Sequence, residues 1–339
     1  MRAAIMGTGL IGASIGMGLR SLGWIVEGWD PDAATVAVAR DHGALDAVRT
    51  DPTIPAASEV DLVVLCAPPL GVIETVRDMT TDALVIDVAG VKTPVVGAAR
   101  GKRFVGTHPM AGRETSGPAA ASPALFRGAA WVVTTDGAEA SDLEMVESIV
   151  HSLGARAIRM NAAEHDVAVA AISHLPQVIA GALLLEAAAE TQALDLAAGS
   201  FRDLTRVAAS DPAMWTQLLE INRAPLRAAI DGVTARLRAL ADAIDAGDAR
   251  GVAAFLGDAR DLRRSLAPSV AAVRVALADR PGELARVGHA LETTAVDVRD
   301  LQLRHAPHGG GGVLTLVVRP GEAAPLRHAL EAEGLVVVE

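Results

Sequence analysis

Two clusters of residues have the types and spacing to do chemistry. The first is Gly7-Thr8-Gly9-Leu10-Ile11-Gly12, a G-x-G-x-x-G spacing that directly follows the apolar run Arg2–Met6. In that setting Gly7 permits a tight turn, Gly9 lets the backbone approach a pyrophosphate, and Gly12 lets the next helix pack close to a sheet. Leu10 and Ile11 then fall in the first helical turn, where free amides and a partial positive charge face the phosphates. Asp30 ends the second apolar run, Ile25–Trp29. A carboxylate there accepts hydrogen bonds from ribose hydroxyls and repels a 2′-phosphate. No arginine follows in Pro31-Asp32-Ala33, so NAD is expected rather than NADP. The second cluster is Thr107-His108-Pro109-Met110-Ala111-Gly112-Arg113-Glu114-Thr115-Ser116-Gly117. His108 follows an apolar run and is expected at a strand's carboxyl edge, where doubly wound sheets bind ligands. Its imidazole titrates near neutrality and can take a proton from a substrate hydroxyl while hydride leaves the same carbon. On spacing alone, a surface or packing histidine reads equally well.

The elements that must position these residues can be read from periodicity. Residues 1–160 alternate short apolar runs (Arg2–Met6, Ile25–Trp29, Leu62–Cys66, Leu84–Asp87, Phe104–Thr107, Ala130–Thr134 and Ala157–Met160) with helix-like segments. This alternation predicts an α/β Rossmann-type doubly wound sheet, with antiparallel additions possible after His108. At Asn161 the texture changes: Asn161 and Glu164 have the spacing of a capping box, and helical periodicity then runs to about Leu266. Residues 161–267 are therefore expected to form an all-α domain, with a kink at Pro176 and helix boundaries at Asp211-Pro212 and Ala224-Pro225. The first helix is so apolar from Val167 to Leu185 that it should bury against other helices or a second subunit, which predicts a homodimer. Residues 268–339 read as βαββαβ, a small α+β ferredoxin-like domain, with Gly309–Gly312 as a hairpin loop.

Composition narrows the classes. Net charge is −11, and no run of like charges exceeds three residues, so a nucleic-acid partner is not expected. Lys92 and Lys102 are the only lysines, and the rest of the 30 basic residues are arginine. The lone cysteine, Cys66, ends the run Leu62–Leu65 and should pack there as a small hydrophobe. The chain opens directly on a strand pattern, and no uninterrupted apolar stretch reaches membrane-spanning length. A cytoplasmic protein without a membrane partner or a metal is the expectation.

The segment Thr107–Gly117 resembles the histidine motif of prephenate and arogenate dehydrogenases. The resemblance continues in Ile172-Ser173-His174-Leu175-Pro176, in Phe201-Arg202-Asp203-Leu204-Thr205-Arg206 and in Ser210-Asp211-Pro212-Ala213-Met214-Trp215, and covers residues 1 to about 265. It implies oxidative decarboxylation of a cyclohexadienol in tyrosine biosynthesis. Hydride passes from C4 to NAD, carbon dioxide leaves C1, and the ring becomes aromatic. By the same resemblance His108 assists loss of the 4-hydroxyl proton, and Arg206 binds the ring carboxylate through its planar guanidinium. Glu114 pairs with an arginine near the site entrance, and Ser116 faces substrate from the same segment. Trp215 and His165 line the pocket, although a core tryptophan is an equal reading of Trp215. His174 reads most simply as a buried, hydrogen-bonded helix residue.

Two departures from the pattern bear on substrate. Many members have Ser in an Asp-x-x-Ser-Val-Lys turn, near the 4-hydroxyl and the nicotinamide. Here the turn is Asp87-Val88-Ala89-Gly90-Val91-Lys92. Many prephenate-specific members have His after Ser-His-Leu-Pro, where this chain has Gln177, an uncharged donor and acceptor. Prephenate, arogenate and 4-amino-4-deoxyprephenate thus all stay open as substrates. The tail, with Asp279-Arg280-Pro281-Gly282-Glu283-Leu284, resembles the ACT regulatory domain. That implies an aromatic amino acid effector near Asp279, Pro281 and Gly282. Two rival readings are a β-hydroxy acid dehydrogenase and an NAD-binding amino-acid sensor. The first relies on a lysine in the helical domain, where this chain has none; the second would not need His108 and Arg206 together.

Overall fold

The computed structural model describes the chain apart from residues 113, 114, 116, 191, 267–270, 295, 306–309 and 339. It divides into two compact units, Met1–Arg236 and Leu237–Glu339.

The first unit is built on a six-stranded sheet: β1 (Arg2–Met6), β2 (Ile25–Trp29), β3 (Ala47–Val48), β4 (Leu62–Leu65), β5 (Leu84–Asp87) and β6 (Phe104–Val105). Every pair is parallel and the order is β3-β2-β1-β4-β5-β6. The strands read as continuous apolar runs because helices cover both faces. These are α1 (Leu10–Ser21), α2 (Ala33–Asp41), α3 (Pro69–Asp78), α4 (Thr93–Ala98) and α5 (Ala140–Ser152). Register matters more than composition for the site. Met6 pairs with Trp29 and Leu65, and Leu65 with Asp87, so four strands end in one row. Gly7, Asp30, Cys66 and the turn after Asp87 therefore emerge along one carboxyl edge.

The single strand expected over Phe104–Thr107 is instead two. After β6 the chain leaves the parallel sheet, and β7 (Thr107–Pro109) pairs antiparallel with β8 (Ala130–Thr134), which pairs parallel with β9 (Arg156–Met160). The crossing is at Gly106, where a Cβ would stand 2.7 Å from Thr134 Oγ1. His108 consequently lies inside a strand, opposite Val132, and not just beyond one. The two-residue β3 went unread because it is too short to show a period.

The helical part starts at Asn161, whose side chain accepts from Glu164 N at 2.8 Å while Glu164 Oε2 accepts from Asn161 N at 3.0 Å. α6 (Ala162–Val169) passes through a π turn at Ala170–His174 into α7 (Leu175–Ala189). The interruption expected at Pro176 takes this form. Proline has no amide to offer the carbonyl four residues back, and its ring crowds that carbonyl; a widened turn accommodates both. This helix is long and apolar enough, by length and composition, to cross a membrane, yet His165, Asp166 and His174 within it are buried in protein. Then come α8 (Gly199–Thr205), a 3-10 turn at Arg206–Ala209, α9 (Pro212–Ile221) and α10 (Arg223–Asp245). Asp211 caps α9 by accepting from Ala213 N at 3.0 Å.

The second unit begins within α10, so the packing boundary precedes the textural change at Pro268. α10 is one unbroken 23-residue helix whose first turns are anchored by buried Leu226. α11 (Ala249–Leu266) leads into β10 (Ala271–Leu277), α12 (Glu283–Thr294), β11 (Asp300–His305), β12 (Gly312–Val318), α13 (Pro320–Ala332) and β13 (Val336–Val338). The strands pair antiparallel in the order β11-β12-β10-β13. Val273, Val275, Leu314 and Leu316 alternate inward onto Val287 and Leu326 of the two helices that follow β10 and β12, the period-two pattern of a sheet covered on one face.

Candidate active site

The turn from β1 into α1 has the shape that a dinucleotide requires. A Cβ on Gly7, at φ +102°, would stand 2.5 Å from the Cys66 carbonyl oxygen, and one on Gly12 would stand 2.0 Å from that of Gly7. Gly9 is different: nothing lies within 4 Å of its Cβ position, so its backbone faces open space. α1 has no side-chain cap and no acidic residue in its first turn, which leaves the amides following Leu10 and Ile11 for an anion. The Asp30 carboxylate accepts from Thr8 N at 2.7 Å and Asp32 N at 3.1 Å, which fixes it beside the turn with lone pairs to spare. A cavity of about 330 Å³ adjoins it, lined by Gly7, Trp29, Asp30, Ile54, Cys66 and Thr75. These residues fit an adenine dinucleotide. Burial, aided by Asp87, pushes the Cys66 thiol well up, so it lines that cavity as a neutral thiol.

At the other end of the carboxyl row, β5 delivers Asp87 into a buried polar knot. Lys92 Nζ bonds Asp87 Oδ2 and donates to the Thr107 carbonyl at 2.6 Å. Asp87 also accepts from Ala89 N at 2.9 Å and Thr107 N at 3.0 Å. Both side chains are fully buried. Burial pulls the Lys92 ammonium down and the Asp87 carboxylate opposes it. This knot ties the Gly90 turn to the start of β7 and so places His108.

Behind His108 runs a chain of hydrogen bonds that ends on a carboxylate. His108 Nδ1 lies 2.9 Å from His165 Nε2, and His165 Nδ1 lies 2.8 Å from Asp166 Oδ1. Asp166 also accepts from Lys92 N at 2.7 Å and Thr93 N at 2.8 Å. Burial would raise its pKa, but the bonds from His165, Thr93 and Lys92 outweigh that and hold the carboxyl below the usual range. Asn222 Nδ2 donates to the Asp166 carbonyl at 2.8 Å and to His174 Nδ1 at 3.1 Å. The His174 ring stands edge-on to Trp215, with centroids 6.0 Å apart.

His108 is held well below the ordinary histidine value, first by burial, then by His165, Lys92 and His174, with Asp166 opposing. It is a neutral imidazole at pH 7, able to accept a proton. The Gly90 turn faces its ring at van der Waals distance. A Cβ at Gly90 would stand 3.8 Å from both Nε2 and Cε1 of His108, and 3.3 Å from Leu218 Cδ2.

The structure thus brings together His108, Gly90, His165 and, through His174, Trp215. His165 is corrected from a pocket-lining residue to one fully buried behind His108, because its two nitrogens are taken by His108 and Asp166. Arg206 opens the 3-10 turn that packs against α7, the helix carrying Gln177. Glu114 and Ser116 lie outside the described residues. Asp279, Pro281 and Gly282 line a cavity of about 300 Å³ in the second unit, with Leu303 and Gly312. Asp87, Asp166 and Asn222 were missed by sequence reasoning. The Glu164-His165-Asp166 triplet was the available signal for Asp166; Asn222 had none. A larger cavity, about 790 Å³, contains none of these residues. Its Lys102 donates to the carbonyls of Val76, Arg77 and Met79, and its Arg103 is paired with Asp142.

Comparison with known proteins agrees with this geometry. The family model described as prephenate dehydrogenase, nucleotide-binding domain, matches residues 15–159, and that described as prephenate dehydrogenase, dimerization domain, matches residues 161–258. Prephenate dehydrogenase of Lactococcus lactis is 31% identical over 77% of this chain and 76% of its own length. Cyclohexadienyl dehydrogenase of Zymomonas mobilis is 31% identical over 72% of this chain and 89% of its own. Among solved structures, prephenate dehydrogenase from A. aeolicus in complex with hydroxyphenyl propionate and NAD+ superposes with a TM-score of 0.72 at 27% identity, covering 79% of this chain and 98% of that one. With the glycine turn, the acidic residue after β2 and the part-buried His108 in place, the chain belongs to the prephenate dehydrogenase family.

Proposed function

We propose that the chain catalyses NAD-dependent oxidative decarboxylation of prephenate to 4-hydroxyphenylpyruvate, the tyrosine-forming route. The observation that carries this reading is a neutral His108 whose ring faces the Gly90 turn, a turn that lies on the same sheet edge as the dinucleotide turn. Gly7, Gly9, Leu10, Ile11, Gly12 and Asp30 would hold NAD, with Gly90 beside its nicotinamide end. Bound NAD supplies the hydride acceptor. His108 Nε2 takes the 4-hydroxyl proton as the C4–H electron pair leaves, and cleavage of the C1 carboxylate bond restores aromaticity. Arg206 binds the ring carboxylate, Trp215 and Gln177 border the pocket, and Glu114 and Ser116 act from the segment after Pro109. Initial NADH formation with prephenate, arogenate and 4-amino-4-deoxyprephenate, each with NAD and NADP, tests the reading. Turnover of prephenate with NAD supports it, and no turnover of any of the three removes it.

One observation favours a second substrate. Gln177 Oε1 is buried without a partner among the described residues, and a buried unsatisfied acceptor is costly. The ammonium of arogenate would satisfy it directly, whereas the keto acid of prephenate requires the amide to turn and donate. Gly90 likewise offers no hydroxyl to the C4 substituent, which suits the 4-amino ring as well as the 4-hydroxyl one.

Of the three-part division at residues 160 and 267, the first boundary is supported by the junction between the two family models and the second by the onset of the β10 sheet after α11. A homodimer through the helical part is supported by the surface of α7, where Ala180 alone is buried and Ile179, Leu183 and Leu185 are exposed. Sedimentation at micromolar concentration should show a dimer; a monomer there counts against it. The second unit's βαββαβ order and its β11-β12-β10-β13 sheet support a ferredoxin-like, ACT-type regulatory domain. Tyrosine or phenylalanine is expected to bind the cavity around Asp279–Leu284. No binding heat and unchanged kinetics with either amino acid would remove the effector assignment.

A further inference from the structure

We infer that Asp166 and His165 are positioning residues that lock His108 in the tautomer able to act as a base, and that they stabilise its charge once it has taken the proton. This rests on the reading of His108 as the base and adds residues that act through it. The argument is one of donors and acceptors. Ionised Asp166 has only acceptors to offer, so His165 must present its Nδ1–H to Oδ1 across 2.8 Å. A neutral His165 protonated at Nδ1 has an acceptor at Nε2, and His108 Nδ1 lies 2.9 Å from it. His108 must therefore carry its proton on Nδ1, which leaves Nε2 as the free base facing the Gly90 turn. When Nε2 accepts the substrate proton, the imidazolium donates through Nδ1 to His165, and the Asp166 carboxylate lies at the far end of the chain. No bond other than the substrate O–H need break for this.

The chain is anchored from three sides. Amides of Lys92 and Thr93 hold both Asp166 oxygens, Asn222 holds the Asp166 carbonyl, and His165 is fully buried. Such a fixed carboxylate selects one tautomer at a distance of two rings. Among the described residues, the titratable groups facing His108 are His165, Lys92, His174 and Asp166. Asp166 is the only carboxylate among these four groups.

Asp166→Asn tests the lock. An asparagine can turn its NH₂ to His165, which would reverse both rings and place the His108 proton on Nε2. Nitrogen-15 NMR of histidine-labelled protein should show His108 protonated on Nδ1 in the wild type and on Nε2 in the variant. kcat with the preferred substrate should fall about 10⁴-fold, as for a base held in the wrong tautomer, with the KM for NAD little changed. A lowered kcat with His108 still protonated on Nδ1 would mean a merely structural effect and overturn the inference. Because Asp166 also holds two backbone amides, a second pair guards against misfolding. His165→Gln keeps an acceptor for His108 Nδ1–H and should stay within about tenfold of wild type, whereas His165→Leu should lose about 10²-fold. Equal losses in both would sink the lock. The ring spectra need no substrate, so a wild type with the expected tautomer but no turnover of prephenate would count against the proposed reaction alone.

Discussion

Replacing His108 by Asn is expected to lower kcat by about 10²–10⁴-fold, the range set by loss of a positioned general base, while NAD affinity stays near that of wild type. Asparagine fills similar space and keeps hydrogen-bonding capacity toward His165, but it has no nitrogen that accepts a proton near pH 7. The separation follows from the fold: the dinucleotide turn at Gly7–Gly12 follows β1 of the parallel sheet, whereas His108 lies on β7 of the other sheet. The pH profile should change with it. Burial first, then His165, Lys92 and His174, hold His108 below its ordinary value of 6.5. The base is active when neutral, so kcat/KM should be on its plateau at pH 7 and fall only as pH drops below 6.5 toward the lowered value. In the asparagine variant that acid limb should vanish. Stopped-flow absorbance of NADH across pH 5–9 checks both. Turnover within about threefold of wild type would remove His108 as the base.

Lys92→Met should be the most destabilising single change in the first unit, by about 3–5 kcal/mol. Lys92 and Asp87 are fully buried and bonded to each other, and removing the ammonium leaves a buried carboxylate with only the amides of Ala89 and Thr107. The Thr107 carbonyl loses its donor as well. Thermal unfolding should shift down by roughly 10 °C, given about 2–4 °C per kcal/mol for a unit of this size. The double variant Asp87→Asn with Lys92→Met should recover part of the loss, because the uncompensated charge is gone. Unchanged unfolding of Lys92→Met would show that the pair contributes nothing net. The knot also fixes the distance between the Gly90 turn and β7, so the single variant should lose activity at temperatures where it remains folded.

Local chemistry made much of this protein legible. The glycine spacing, the acidic residue at the end of the second strand and the alternation of runs implied a doubly wound sheet, and the register now shows why Gly7 and Asp30 meet. The capping box at Asn161 was legible because both partners lie within one turn. The interruption at Pro176 was legible from the missing amide, although not the π turn that answers it. The resemblance carried by residues 107–117 and 201–215 pointed to the reaction, which no periodicity could.

Contacts between residues distant in sequence were not legible. Phe104–Thr107 reads as one apolar run, yet the chain changes sheets at Gly106, where the Thr134 side chain leaves no room for a Cβ. Nothing local distinguishes the buried Lys92–Asp87 pair from a solvated one. Sequence determined what His108 is and which cofactor its neighbours would hold. Tertiary structure alone decided that His165 and Asp166, more than fifty residues downstream, stand behind that ring and choose which nitrogen carries its proton. A hydrogen-bonded tautomer is a property of three side chains at fixed distances, and only the packing of α6 against the carboxyl edge brings them together.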